Sequence, residues 1–213
     1  MRVVYLHGFA SSPASSKAQY FKRRFAEQGV ACDILRLDGG DFRSLTITGQ
    51  LQVISQAVRG EAVTLVGSSL GGYLAALYAA RHKNVERMVL LAPALQFPAR
   101  WRNRFSTAEF DEWRRTGARL FYHYGEKADR PLGFPFVEDA LQYENEPEFE
   151  QPALILHGSR DEVVPVEVSR QFASRHPNVE LKIVPSGHEL TDVLDLLWSE
   201  TARFLSSNSG KTG

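Results

Sequence analysis

Six short runs rich in aliphatic residues recur along the chain, at residues 2–6, 32–37, 62–66, 87–91, 153–156 and 181–184. Longer helical patterns fall between and after them, at 15–28, 46–58, 70–81, 166–175 and 190–205. Few architectures accept this alternation. Strands joined through helices of this length run parallel, by right-handed crossovers, and the helices then cover both faces of the sheet. The near-continuous apolar runs at 3–6, 63–66 and 89–91 fit strands buried on both sides. The predicted class is therefore α/β, with a compact, mostly parallel sheet of about six strands.

The 213 residues suffice for one domain carrying an insertion, and a hydrophobic share of 43% with 11% aromatics excludes a disordered chain. Twenty-five basic residues balance twenty-five acidic ones, so the basic surplus of a general nucleic-acid binder is missing. No apolar run approaches the roughly 18–20 residues of a membrane span. After Met1 and Arg2 only four apolar residues precede His7-Gly8, which reads as a first strand rather than a secretory signal. A single cysteine, Cys32, excludes an internal disulfide and a multi-cysteine metal site, and its apolar surroundings suit a buried filler. A cytoplasmic location is expected, with no metal and no cofactor.

The alternation lapses at residues 94–150. This stretch holds twelve of the 23 aromatics, among them Phe97, Trp101, Phe105, Trp113 and Phe136, which marks it as an insertion: a satellite subdomain packing aromatics for its own stability, or a cap that also lines a binding pocket. Ser106 or Thr107 can cap a helix running through Trp113, with Gly117 beyond its end. Residues 120–124 alternate as a strand, and 132–137 are the expected return strand across a long loop. The tail, 206–213, is rich in Ser, Gly and Lys and is expected to be frayed.

The most specific motif is Gly67-Ser68-Ser69-Leu70-Gly71-Gly72, placed after a predicted strand and opening a predicted helix. A serine on so sharp a turn is lifted above the sheet, and side chains two positions to either side would strike neighbouring backbone. The helix beneath offers unpaired N–H groups and a partial positive charge. Ser69, rather than Ser68, has the flanking glycines and is the candidate nucleophile. The Leu70 N–H is one candidate donor to an oxyanion. The Phe9 N–H, in the loop after the first strand, is the other.

A serine hydroxyl needs a base to take its proton. His82 and His176 read as surface residues, His123 falls inside the insertion, and His7 and His157 read as side chains tying loops to backbone. His188 follows the last strand in a loop that leaves the sheet at its C-terminal edge, where Ser69 also lies. It is the candidate base. Asp161, in the loop after the strand at 153–156, is the candidate carboxylate to orient it, with Glu162 as rival; Asp192 and Asp195 read as too far into the final helix. The order Ser69, Asp161, His188, each on its own post-strand loop, is the order of an α/β-hydrolase.

On Tyr5-Leu6-His7-Gly8-Phe9 with Ser11-Ser12-Pro13, Gly67-Ser68-Ser69-Leu70-Gly71-Gly72, Gly158-Ser159-Arg160-Asp161 and Gly187-His188, the chain resembles the α/β-hydrolase superfamily. Within it, the chain resembles the small YqiA/YcfP-like esterases. The resemblance covers about residues 1–93 and 151–205. It implies a sheet lacking the first two strands of the full hydrolase fold and an enzyme hydrolysing carboxylic acyl esters or thioesters. The expected partner is a small acyl ester or thioester, with Phe97 and Trp101 as candidate walls of an acyl pocket. An acyl-CoA thioesterase, for which Arg100, Arg102 and Arg104 could supply a basic mouth, and a carbon–carbon bond hydrolase or lyase share the same triad. A non-catalytic binding protein on this fold is the reading from another class.

Overall fold

A computed structural model describes residues 1–207. Six strands, β1 (Val3–Leu6), β2 (Cys32–Ile34), β3 (Val63–Ser68), β4 (Val85–Leu91), β7 (Ala153–Gly158) and β8 (Val179–Val184), form one sheet in the order β2-β1-β3-β4-β7-β8. Every neighbouring pair is parallel. Between β4 and β7 the chain leaves the sheet and builds an antiparallel ribbon of β5 (Ala118–His123) and β6 (Ala128–Gly133). Among the described residues eight α-helices accompany the strands: α1 (Ser16–Glu27), α2 (Ile47–Val58), α3 (Leu70–Arg81), α4 (Phe97–Arg104), α5 (Thr107–Thr116), α6 (Pro135–Ala140), α7 (Val166–Arg175) and α8 (Leu194–Ser206).

Strand alternation assigns each side chain to a face. Val4 and Leu6 of β1 join Leu65, Leu90 and Ile155 in a core under α2, α3, α7 and the β4–β7 excursion. Val3 and Tyr5 join Val66, Val89, Leu154 and Leu156 in a second core under α1 and α8. Because both faces are covered, the central strands β1, β3 and β7 are buried at every position. From β1 the chain moves outward to β2, then returns to β3 and proceeds the other way. The reversal leaves a crevice at the C-terminal ends of β1 and β3, where this class of sheet binds ligands.

The excursion is held to the body by its aromatics. Trp101 and Trp113 lie with Phe97, Phe110, Phe134 and Phe136 in the same core as α2 and α3. A Ser106–Glu109 capping box starts α5, the Ser106 hydroxyl accepting from the Glu109 amide at 3.3 Å and the Glu109 carboxylate accepting from the Ser106 amide at 2.9 Å. Buried Trp113 donates its indole N–H to the Leu132 carbonyl at 2.9 Å, fixing α5 to the ribbon.

Two expected elements need correction. The return strand is 128–133 rather than 132–137, joined to β5 by a four-residue turn, while Pro135 starts α6 and takes Phe136 and Val137 into a helix. Asp129 and Arg130 face solvent on this ribbon, so apolar alternation could not mark the strand. The last helix begins at Leu194, because Leu190 takes a left-handed conformation (φ 56°) and a 3₁₀ turn occupies Thr191–Val193. Of the tail expected to fray, Ser206 ends α8, and 208–213 lie outside the described residues. Cys32 is buried as expected, and burial pushes its thiol up to about 12. Among the described residues no helix is long and apolar enough to cross a membrane.

Because the excursion shares a core with α2 and α3, it should unfold together with the sheet. Trp113→Ala is expected to cost about 3–5 kcal/mol and to lower the denaturant midpoint of one single transition, followed by circular dichroism and fluorescence together.

Candidate active site

Ser69 sits between β3 and α3 with φ 52° and ψ −117°, a strained backbone for a residue with a side chain. The strain is held in place from several sides. The Ser69 amide donates to Leu91 O at 2.9 Å, and its carbonyl accepts from Gly72 at 2.9 Å, Tyr73 at 3.2 Å and Ala94 at 3.0 Å. A methyl group at Gly67 would overlap the Gly71 carbonyl, and one at Gly71 would overlap the Leu6 carbonyl. The two glycines thus let the first turn of α3 lie directly against the ends of β3 and β1.

The structure brings the three sequence-predicted side chains together. Ser69 Oγ lies 2.9 Å from His188 Nε2, and His188 Nδ1 lies 2.8 Å from Asp161 Oδ2. The rival Ser68 is buried at the end of β3, and exposed Glu162 forms no hydrogen bond with His188 among the described residues. A carboxylate on one ring nitrogen and a hydroxyl on the other can move a proton from the serine to the imidazole.

Asp161 is saturated with donors. Its Oδ1 accepts from the amides of Val163 at 2.9 Å and Val164 at 2.8 Å, and its Oδ2 also lies 3.0 Å from His157 Nε2. Burial alone would raise its pKa; the hydrogen bonds from His157, His188 and Val164 outweigh that and hold the carboxyl well below the usual carboxylate range. His157 is fully buried, and its Nδ1 meets Ser169 Oγ at 2.7 Å. If Ser169 donates there, Nε2 carries the ring proton and points it at the Asp161 carboxylate and the Val164 carbonyl. The sequence suggests only a loop tie at His157, whereas its neighbour in space is the carboxylate itself.

The His188 loop is fixed from three directions. Arg160 donates its amide to Ser186 O at 2.9 Å and its guanidinium to Pro185 O at 2.8 Å. Ser186 Oγ bonds Asp192, which lies in the 3₁₀ turn before α8 rather than inside the helix. Lys17, on the first turn of α1, donates from Nζ to Glu189 O at 2.7 Å.

The loop after β1 runs beside the serine, since a side chain at Gly8 would lie 3.4 Å from Ser69 Cβ. Among the described residues neither the Phe9 amide nor the Leu70 amide donates a hydrogen bond within the chain. The Phe9 ring packs at 5.1 Å from Trp101, 5.6 Å from Phe121 and 5.7 Å from Phe136. The Ala10 carbonyl accepts from Tyr124 at 2.7 Å, which ties the same loop to the turn of the ribbon. Phe9, Leu70, Ser69, His188, Phe97 and Trp101 all line one cavity of about 1150 Å³.

The other histidines have structural partners. His7 bonds the Gly8 carbonyl through Nδ1 at 2.9 Å, and burial lowers its pKa. His82 is half-buried against Tyr78, with ring centroids 3.9 Å apart. His176, expected at the surface, is buried and stacks on Phe172, because the excursion's Phe149 and Glu148 close over it. His123 is buried, and with Asp38 and Glu126 it brings three ligand-type atoms within 4.8 Å of one another. Arg36 and Arg130 already pair with those two carboxylates, at 2.9 Å and 2.5 Å.

The sheet order and the helices around it are those of the α/β-hydrolase fold. The chain belongs to the uncharacterised protein family UPF0227, whose model matches residues 2–204. No curated protein matches the chain. Among solved structures it is similar to Est1E from Butyrivibrio proteoclasticus, at 21% identity and a TM-score of 0.75, over 95% of this chain and 87% of that one. It is also similar to alpha/beta hydrolase domain-containing protein 10 from mouse, at 20% identity and a TM-score of 0.80, over 96% and 89%. A third similar structure is MGS-MChE2, an alpha/beta hydrolase enzyme from a lagoon-sediment metagenome, at 18% identity and a TM-score of 0.70, over 97% and 91%. At these identities the likeness carries the fold.

Gly71→Ala tests the close approach at the turn. With backbone on the receiving side, relief requires α3 to shift, and a loss above about 2 kcal/mol is expected in chemical denaturation.

Proposed function

We propose that the chain is a serine hydrolase of carboxylic acyl esters. The observation carrying this reading is the unbroken line from Ser69 Oγ through the His188 ring to Asp161, opening into a cavity with an aromatic wall. In the proposed reaction Ser69 Oγ attacks the ester carbonyl carbon and its proton passes to His188 Nε2. Asp161 keeps the proton on Nδ1 and stabilises the imidazolium. The Phe9 and Leu70 amides receive the oxyanion, an interaction worth about 3–4 kcal/mol per donor in comparable sites. Collapse expels the alcohol, which takes the proton from His188, and leaves an acyl group on Ser69. Water, deprotonated by His188, then releases the acid. Phe97 and Trp101 give an apolar chain somewhere to lie.

A thioester substrate would use the same residues. Arg100 and Arg104 line the cavity, as a phosphate-bearing thiol carrier would favour, whereas Arg102 turns away over the Phe110 ring at 4.9 Å.

A fluorophosphonate probe should label the wild type and Ser68→Ala but not Ser69→Ala; labelling that survives in Ser69→Ala removes the proposal. With p-nitrophenyl esters of graded chain length, assayed beside acyl-CoAs, His188→Ala and Asp161→Asn are each expected to lower kcat by about 10²–10⁴-fold. Glu162→Gln should stay within about twofold; a larger fall there would make Glu162 the orienting carboxylate.

His157 acts in this reading as a positioning residue. His157→Leu is expected to reduce kcat about tenfold, as other partners that orient a reactive ligand do, with KM little changed. His157→Gln, which keeps an N–H donor, should recover part of the loss. A fall in KM alone would mean that His157 has no hold on Asp161.

A further inference from the structure

The cavity has two ends of different chemistry. Phe97 and Trp101 come from the face of the sheet that carries α3 and the excursion. The other end is built by the first turn of α1 and the loop before it, where Ser12, Ser15, Ser16 and Lys17 line the space. Lys17 is only 7% exposed, so its ammonium is almost wholly withdrawn from water. One of its three N–H donors goes to the Glu189 carbonyl. Among the described residues no carboxylate lies within 4.0 Å of it and no second acceptor takes its remaining donors.

A buried cation without a counter-ion is costly and calls for an anion. Its acidic neighbours do not fill that place. Asp161 is engaged by His188, His157 and two amides, and exposed Glu189, which lines the same cavity, makes no ion pair with the ammonium within 4.0 Å. The turn around Lys17 is equally short of negative charge, since Ser15 makes no side-chain bond to the α1 amides and no acidic residue occupies the first turn. Burial lowers the Lys17 ammonium to about 8, while the more distant Glu189 and Asp161 pull it upward, so it is mostly charged at neutral pH.

Position decides which part of a substrate meets this end. His188 passes its proton to the departing group, which therefore leaves on the His188 side, and the Lys17 ammonium is bonded to the very next residue. We propose that the α1 end of the cavity is a subsite for an anionic oxygen group, a carboxylate or a phosphate, on the leaving-group portion of the substrate, with Lys17 as its counter-ion. The inference rests on the serine-hydrolase reading and narrows its substrates to acyl esters of acidic alcohols, phenols or thiols.

The test compares para-(butanoyloxy)benzoate and para-(butanoyloxy)phenyl phosphate with the neutral para-(butanoyloxy)benzamide, as substrates of the wild type, Lys17→Met and Lys17→Arg. A charge-assisted hydrogen bond in a desolvated site predicts that one or both anionic esters exceed the amide at least about tenfold in kcat/KM. Whichever anionic ester is preferred identifies the group. Lys17→Met should bring the ratio close to one and Lys17→Arg should retain most of it. A wild-type ratio near one, or a ratio unchanged in Lys17→Met, overturns the subsite. If Lys17→Met does not fold, inhibition of benzamide-ester turnover by inorganic phosphate and by benzoate decides in the wild type: competitive inhibition by either supports the subsite, and none by both overturns it. The two readings fail separately. Benzamide-ester hydrolysis that survives Ser69→Ala removes the serine reading, whereas Ser69-dependent hydrolysis blind to charge removes this one.

Discussion

The structure turns on the contact between the start of α3 and the end of β1. No atom larger than hydrogen fits at Gly67 or Gly71, and that allows a helix to begin within one residue of a strand. From this contact follows the positive φ of Ser69 at the junction of β3 and α3. The same first turn explains why α3 is buried on nearly all sides: its residues Leu70–Ala79 are enclosed between the sheet and the elements above it. A helix so apolar all round has no solvent face to lose, which makes it a rigid floor.

Above that floor the excursion and the sheet are joined through Phe9. Its backbone belongs to the loop after β1, next to Ser69, while its ring is surrounded by Phe42, Trp101, Phe121 and Phe136. The donor proposed for the oxyanion and the wall proposed for the acyl chain therefore share one residue. Any change in the aromatic cluster is transmitted to the amide through a single Cα. On the opposite side, Lys17 couples α1 to the His188 loop through the Glu189 carbonyl. The imidazole is thus braced by the helix on the face away from the excursion.

Much of this was legible in the sequence because the deciding physics is local or topological. The glycine spacing around Ser69 is a steric requirement within five residues, and α3 and α7 occupy the predicted ranges 70–81 and 166–175. The meeting of Asp161 and His188 follows from a parallel sheet, in which every post-strand loop emerges at one edge. What escaped depends on burial and register decided far away in the chain. Lys17 reads as one more charged residue on a helix, and only the approach of the Glu189 loop encloses it. His157 looks like a loop tie until the turn after β7 folds Asp161 back toward it. His176 reads as surface because nothing near it announces that Phe149 will stack above. The ribbon strand at 128–133 has charged residues facing solvent, so the apolar pattern points to the stretch beyond it.

The distribution of the three tryptophans gives the molecule a built-in optical asymmetry. Trp101 and Trp113 lie 6.2 Å apart in the cluster beside the cavity, close enough to exchange excitation energy, while Trp198 packs against Phe25 on the far face of the sheet. Light emitted from the first pair reports the surroundings of the cavity wall. Emission from Trp198 comes from a separate cluster with Phe21 and Phe25, on the face that carries α1 and α8.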